Sequence, residues 1–231
     1  MGKRIYACDF DYFETIDTEE KAYWLGFIFA DGYMFDIKRI RHLVNGDSIS
    51  IRKGLKISLK DEDSPHLEKL LKCLNSNNRI SHYKNNNGHS YCRITIENKK
   101  IFNDLFSLGC VPRKSLIVKY PIGLNEDLNR HFIRGYFDGN GCICFNFNLN
   151  KKYEECNLTS TKEMLEVINN LLPIEGNWSK RKDNGTNNYT LRFQGGNKIE
   201  TLLRYLYDDC SIYLDRKYNK YKEWLVLSGR A

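Results

Sequence analysis

The sequence of 231 residues lacks the marks of several large protein classes. No apolar run approaches the roughly 20 residues that a membrane-spanning helix needs, and the start of the chain lacks the apolar core of a secretory signal. The eight cysteines include no CxxC pair, and Cys142 and Cys144 stand too close for the usual zinc-ligand spacing. We therefore expect a protein that is not secreted, has no membrane partner, lies in the cytoplasm or an organelle, and keeps its thiols reduced.

Proline is scarce as well, and the four prolines fall at expected boundaries. Pro65 stands in the first turn of one predicted helix, and Pro173 follows the end of another. Pro112 and Pro121 lie in the stretch between the two halves of the chain. A chain of this length can hold one large domain or two of about 100 to 115 residues each. From the repeated layout we predict an N-terminal half at 1–110, a linker at 111–126 and a C-terminal half at 127–231.

Acidic residues are outnumbered, though only moderately. Lysine and arginine total 36 against 29 aspartates and glutamates, which gives a net charge of +7. This excess is compatible with a polyanionic partner such as nucleic acid, but many proteins without such a partner carry a similar charge. The hydrophobic content of 41% is sufficient for a folded core.

The same order of elements is predicted in both halves: helix, hairpin, helix, hairpin, helix. Residues 49–60 alternate between apolar and basic positions, and Gly54 among them is expected to mark a β-bulge. In the first half we predict a helix from Asp17 or Thr18 to Asp31, strands at 33–42 and 49–60, a helix from Ser64, strands at 79–84 and 90–97, and a helix at 98–108. In the second half we predict a helix at 127–140, strands at 142–149 and 153–159, a helix at 161–172, strands at 176–182 and 188–194, and helices at 197–207 and 214–227.

One apolar stretch occurs twice. Residues 24–32 and 133–141 each end in glycine and carry small residues four positions apart, Gly26 with Ala30 and Gly135 with Gly139. Residues four apart share a helix face, and small side chains there let a second backbone approach closely. The sequence therefore predicts two helices that pack against each other.

Each of these helices is expected to end in a polar residue, Asp31 or Asn140. A carboxylate at a helix C-terminus is unfavourable because the helix dipole is already negative there. A bound cation would remove this conflict, and oxygen ligands of this kind suit Mg²⁺. Two such ends side by side would make a metal-dependent centre for phosphodiester cleavage.

Both stretches resemble the signature helices of the LAGLIDADG homing endonucleases, and the likeness in layout extends over nearly the whole chain. The resemblance implies an α+β fold with two pseudo-symmetric αββαββα halves, antiparallel β-sheets that form a DNA-binding saddle, and two motif helices packed at the centre. It also implies a monomeric hydrolase that cleaves a double-stranded DNA target of roughly 20 base pairs and leaves 3′ overhangs.

The resemblance further implies the residues of the catalytic site. The family's catalytic acid is the eighth motif residue, which is Asp31 in the first copy and Asn140 in the second. Mg²⁺ would be held by Asp31 and Asn140 with the carbonyl groups of Ala30 and Gly139, and Ca²⁺ is expected to bind without supporting cleavage. Lys114 and Lys217 follow the motif ends at similar distances and match the family's basic residues beside the scissile phosphates.

The polar faces of the predicted strands are candidates for contact with DNA, because strands can enter the major groove and present side chains to base edges. Any one such residue is more often simply solvated, but the pattern recurs in both halves. The candidates are Lys38, Arg39, Arg41, Arg52, Lys56, Arg93, Asn146, Asn148, Lys180, Lys182, Arg192 and Gln194.

Asparagine at position 140 keeps a neutral oxygen ligand but loses the charge that holds a hard dication. We therefore expect impaired double-strand cleavage, with one strand nicked or the site bound without being cut. Asp138 is not expected to substitute, because it points about 200° around the helix from Asn140. The alternative is a non-catalytic nucleic-acid binder on the same fold, such as a repressor or an intron-RNA maturase.

Overall fold

The computed structural model describes residues 6–41, 48–147, 153–180 and 187–231. Two of the candidate DNA-contacting residues, Asn148 and Lys182, lie outside the described residues. The chain divides into two compact units, one of Met1–Thr15 with Gly32–Arg113 and the other of Ile16–Asp31 with Lys114–Ala231. The first motif helix, although early in the sequence, thus makes its contacts within the second unit.

The elements follow the predicted order, and their bounds lie close to the predicted ones. The helices of the described ranges are α1 (Glu19–Asp31), α2 (Ser64–Cys73), α3 (Lys99–Ser107), α4 (Asn129–Asn140), α5 (Lys162–Leu171), α6 (Gly196–Tyr207) and α7 (Asp215–Ser228). The strands are β1 (Gly32–Arg41), β2 (Ser48–Lys60), β3 (Ser81–Lys84), β4 (Ser90–Ile96), β5 (Gly141–Asn146), β6 (Tyr153–Ser160), β7 (Asn177–Lys180) and β8 (Tyr189–Gln194). None of these helices combines the length and apolarity that crossing a bilayer requires.

Each unit contains a four-stranded antiparallel sheet with the same strand order. The first sheet runs β1-β2-β4-β3 and the second runs β5-β6-β8-β7. In each case the two inner strands are paired on both sides, and the helices cover the face that carries the buried aliphatic residues, such as Ile57 and Leu191. The predicted α+β fold with two repeated halves is therefore confirmed.

Side-chain caps mark where α1 and α5 begin. Thr18 Oγ1 accepts from the backbone N–H of Lys21 at 3.3 Å, so Thr18 is the N-cap of α1. Thr161 Oγ1 accepts from Met164 N–H at 3.2 Å and caps α5 in the same way.

The β-bulge expected at Gly54 is wrong. The pairing of β1 with β2 runs one to one from Gly32↔Ile57 to Arg41↔Ser48, and Gly54 pairs with Phe35. A Cβ at Gly54 would lie 2.1 Å from the carbonyl oxygen of Ile96. The glycine is therefore required by close backbone approach, the other reason for glycine within a strand.

The two motif helices pack with their backbones in contact. A Cβ at Gly26 of α1 would lie 2.0 Å from the carbonyl oxygen of Phe132, and a Cβ at Gly135 of α4 would lie 1.9 Å from that of Tyr23. These two contacts are equivalent under the internal repeat, because each glycine meets the residue three positions before the other. The close packing of two small-residue helices is confirmed and has local twofold symmetry.

Candidate active site

The C-terminal ends of α1 and α4 lie side by side. A Cβ at Gly139 would lie 2.3 Å from the Ala30 Cβ and 3.4 Å from Asp31 Oδ2, so the Asp31 carboxylate lies against the last turn of α4. The structure thus brings together both residues expected to act at the motif ends, Asp31 and Asn140.

Tyr136 lies beside these two residues and was not among the site residues predicted from the sequence. Its hydroxyl lies 2.5 Å from Ser160 Oγ and is hydrogen-bonded to the Asn140 side chain. Burial, with a contribution from the nearby Asp31 carboxylate, raises the pKa of Tyr136 to about 12. The phenol therefore stays protonated near neutral pH and acts here as a hydrogen-bonding group beside the helix ends.

The donor atoms at these ends fit a hard divalent cation. Asp31 supplies a carboxylate, Asn140 supplies a neutral amide oxygen, and the Ala30 and Gly139 carbonyls belong to last helical turns, where carbonyl groups lack partners within the helix. Within the described residues there is no cluster of three or more His, Cys, Asp or Glu side chains placed to hold a metal. A cation here would rely on one carboxylate, neutral oxygens, water and substrate oxygens, which is a usual arrangement for Mg²⁺.

Lys217 caps the end of α4. Its side chain is buried, with 4% exposed, and Nζ donates to the carbonyls of Phe137 at 2.5 Å and Gly141 at 2.6 Å. Burial lowers the pKa of Lys217 to about 8, although the carboxylates of Asp138 and Asp31 oppose that shift. A cation at this position interacts favourably with the negative end of the helix dipole. It also interacts electrostatically with the Asp31 carboxylate.

Lys114 is also buried, with 7% exposed. It opens a short 3-10 turn, Lys114–Leu116, that precedes Val118. Its side chain lines a cavity together with Phe29, Ala30 and Asn140. The two lysines chosen from the sequence therefore both lie at the motif-helix ends, Lys114 in the cavity and Lys217 at the carbonyls of α4.

The Asp138 carboxylate is buried and makes structural contacts, as its position on α4 suggested. The carboxylate is 1% exposed and accepts from Tyr207 Oη at 2.6 Å, from Tyr23 Oη at 2.7 Å and from the Leu214 N–H at 2.7 Å. Burial raises the pKa of Asp138 despite these hydrogen bonds and the nearby Lys217 ammonium. Its oxygens are used to join α1, α4, α6 and the start of α7.

The cavity beside Asn140 has a volume of about 750 Å³ and lies entirely within the second unit. One wall is formed by the helix ends and Lys114. Polar side chains of β6, β7 and β8 also line the cavity, including Asn157, Thr159, Thr190 and Arg192. Two of the catalytic candidates, Lys114 and Asn140, therefore line the same polar recess as the sheet surface.

Strand register defines which side chains of the second sheet share this wall. Asn157 pairs with Cys142 on one side and Arg192 on the other, and Glu155 pairs with Cys144 and Gln194. We call the face that carries Asn146, Glu155, Asn157, Arg192 and Gln194 the polar face. Asn146, Arg192 and Gln194, three of the candidates for DNA contact, are exposed on it.

Lys180 is placed differently. It pairs with Tyr189, and the register places it on the opposite face of the sheet, which carries Leu191. Because Lys180 ends β7, its side chain still reaches the cavity wall.

In the first unit, Arg39, Arg52, Lys56 and Arg93 share one face of the sheet by register, whereas Lys38 pairs with Ile51 on the other face. Arg41 ends β1. Arg52 is bound to Glu97 at 2.5 Å, and Lys56 Nζ lies 5.6 Å from the ring centroid of Tyr33. Arg93 donates to Ser58 Oγ at 2.9 Å and Tyr83 Oη at 2.8 Å.

No protein-family model and no curated protein matches the chain, but solved structures do. The LAGLIDADG homing endonuclease I-LtrWI, bound to its target DNA, aligns with a TM-score of 0.62 over 95% of this chain and 90% of its own, at 15% identity. This chain has the LAGLIDADG homing endonuclease fold. The meganuclease I-SmaMI bound to uncleaveable DNA aligns with this LAGLIDADG fold at a TM-score of 0.63, 14% identity and 88% coverage of both chains. I-GzeII in complex with its DNA target aligns at 0.59, with 14% identity, 93% coverage of this chain and 92% of its own.

Proposed function

We propose that this protein is a site-specific homing endonuclease that binds double-stranded DNA as a monomer and hydrolyses phosphodiester bonds with Mg²⁺. We propose also that Asn140 impairs its second catalytic position. The observation that carries the proposal is the juxtaposition of Asp31 and Asn140 at adjacent helix ends, with buried Lys114 and Lys217 beside them. The DNA bound in the similar I-LtrWI and I-GzeII structures supports duplex DNA as the partner.

The two helix ends differ in what they offer to a scissile phosphate. When bound, Mg²⁺ would supply a lowered water pKa and charge stabilisation for the phosphate. Asp31 contributes a full negative charge to hold the dication, whereas Asn140 contributes only a neutral oxygen and a hydrogen bond to Tyr136. The end of α1 is therefore the better binding site, and cleavage of one strand is expected to exceed cleavage of the other.

The two lysines would act by charge, Lys114 on the substrate and Lys217 on the end of α4. Lys114 lines the cavity, where an ammonium group would stabilise the negative charge that develops on a phosphate during attack. Lys217 holds the end of α4 and offsets the repulsion between the helix dipole and the neighbouring carboxylates.

A nicking assay tests this proposal. The target is first selected from a randomised duplex library with Ca²⁺ present, since Ca²⁺ is expected to support binding without cleavage. Supercoiled plasmid carrying that target should then give nicked circles with Mg²⁺ and no cleaved product with Ca²⁺. Linear product at a rate equal to the nicking rate would contradict the assigned effect of Asn140, and failure to enrich any duplex would contradict the function itself.

A second candidate function is favoured by two observations. Lys217 is committed to two main-chain carbonyls, which a purely structural role would explain, and Asn140 weakens the metal site. A nucleic-acid binder without cleavage, a repressor or an intron-RNA maturase, would tolerate both features. It predicts tight target or RNA binding with no strand cleaved under any divalent cation.

A further inference from the structure

A buried carboxylate lies in the middle of the polar face of the second sheet. Glu155 is 3% exposed, although its position on β6 directs it to the same side as Asn157 and the neighbouring Gln194 and Arg192 of β8. An acidic residue at this place is unexpected on a surface proposed to meet phosphates and base edges, because it repels both the backbone and the acceptor groups of DNA.

The neighbours of Glu155 account for its position. Oε1 accepts from Asn157 Nδ2 at 3.0 Å, and Oε2 accepts from Gln194 Nε2 at 2.7 Å and lies 3.5 Å from Arg192 Nη1. The Tyr153 hydroxyl is also bonded to this carboxylate. The other side chains cover Glu155, so its charge is compensated within the protein and is withdrawn from the surface.

This arrangement sets the direction of two amide groups. A carboxylate has only acceptors, so only the NH₂ side of an amide can face it favourably. Rotation of Asn157 or Gln194 by 180° would place oxygen against oxygen and lose a charge-assisted hydrogen bond. The NH₂ groups are therefore held inward, and the amide oxygens are left directed away from the carboxylate.

We propose that Glu155 is a positioning residue for sequence recognition: it fixes Asn157 and Gln194 as hydrogen-bond acceptors, so that this face selects base edges bearing an exocyclic amino group. In the major groove these are adenine N6 and cytosine N4, whereas guanine O6 and thymine O4 are acceptors and are rejected. The inference rests on the proposed function, since it concerns the same DNA-binding surface.

The first test uses the protein without DNA. Side-chain NH₂ signals of Asn157 and Gln194, followed by NMR, should show slowed hydrogen exchange in the parent chain and lose that protection in Glu155→Gln. The matched control is Glu154→Gln, which removes the same charge one residue away on the opposite side of β6, where Glu154 accepts from Trp224 Nε1 at 3.1 Å. Equal protection in the parent chain and Glu155→Gln would overturn the positioning role, whatever the protein binds.

The second test compares the base preferences of the variants by selection from a randomised duplex library. In Glu155→Gln, discrimination between amino and keto edges should fall roughly 10-fold at two base pairs. Glu154→Gln should keep the base preferences of the parent chain. Asn157→Ala and Gln194→Ala should each lose discrimination at only one of those pairs, with little further loss when combined with Glu155→Gln. An unchanged profile in Glu155→Gln would overturn the specificity role. If the parent chain shows NMR protection but enriches no duplex, the positioning contact is present and the proposed function has failed. That outcome would overturn the role of Glu155 in recognition.

Discussion

Replacement of Gly135 by alanine should destabilise the second unit by about 4 kcal/mol or more, which is in the range of the most damaging single substitutions. The added Cβ would lie 1.9 Å from the Tyr23 carbonyl oxygen and 2.9 Å from the backbone nitrogen of Phe27. Both are backbone atoms within α1, so no side-chain rotation can relieve the clash, and the helices must separate. Separation would also pull Asp31 away from Asn140, so DNA cleavage should be lost with stability.

Urea unfolding followed by circular dichroism measures this effect. Gly195→Ala is the matched control in the same unit, because a Cβ there would meet no atom within 4 Å although the residue has φ of +89°. Its backbone conformation, with φ of +89° and ψ of +134°, should cost about 1–3 kcal/mol for alanine. If Gly135→Ala loses no more stability than Gly195→Ala, the backbone contact between α1 and α4 does not exist in solution.

Replacement of Asp31 by asparagine should abolish the remaining strand cleavage, with a loss on the order of 10³-fold, as for removal of a single group that stabilises charge in a transition state. The change leaves both motif ends with neutral oxygens and no charge to hold a dication. Affinity for target DNA in the absence of metal should be retained or increased, because a negative charge is removed near the expected phosphate path. Nicking rates under single-turnover conditions and binding by fluorescence anisotropy check both parts.

Asp138→Asn is the informative comparison for Asp31→Asn. It makes the same chemical change on the partner helix, but at a carboxylate that accepts from Tyr23, Tyr207 and the backbone of Leu214. We expect Asp138→Asn to reduce stability by about 1–3 kcal/mol, because an amide cannot accept on both sides and leaves buried donors unsatisfied. Nicking by Asp31→Asn at the parent rate would remove Asp31 from the catalytic role.

Local sequence patterns were sufficient for the order of elements and for the packing of the motif helices. Alternation along 49–60 and the turn residues between strands predict the hairpins, since side chains on a strand repeat every two residues. Gly26 with Ala30, and Gly135 with Gly139, predict the close helix contact because residues four apart share one face of a helix. These features depend on neighbours in the chain, which the sequence displays directly.

Features that depend on distant partners could not be predicted. Glu155 has no sequence signal of burial, since its partners Gln194 and Arg192 lie on another strand and only register brings them together. Asp138 likewise receives Tyr23 and Tyr207 from opposite ends of the chain. Lys38 and Lys180 are both among the predicted DNA contacts, and only the strand register shows that Lys38 pairs with Ile51 and that Lys180 pairs with Tyr189, on the face that carries Leu191.

The most direct test of the central claim compares this chain with Asn140→Asp on supercoiled plasmid carrying the selected target, with Mg²⁺ present. A second carboxylate at the end of α4 would lie beside Asp31, Tyr136 and the cavity and would supply the charge that asparagine lacks. We expect linear product from Asn140→Asp and nicked circles from the parent chain. Tight binding of the target by both proteins, with neither strand cut by either, would contradict the account and leave a DNA-binding protein on an endonuclease fold.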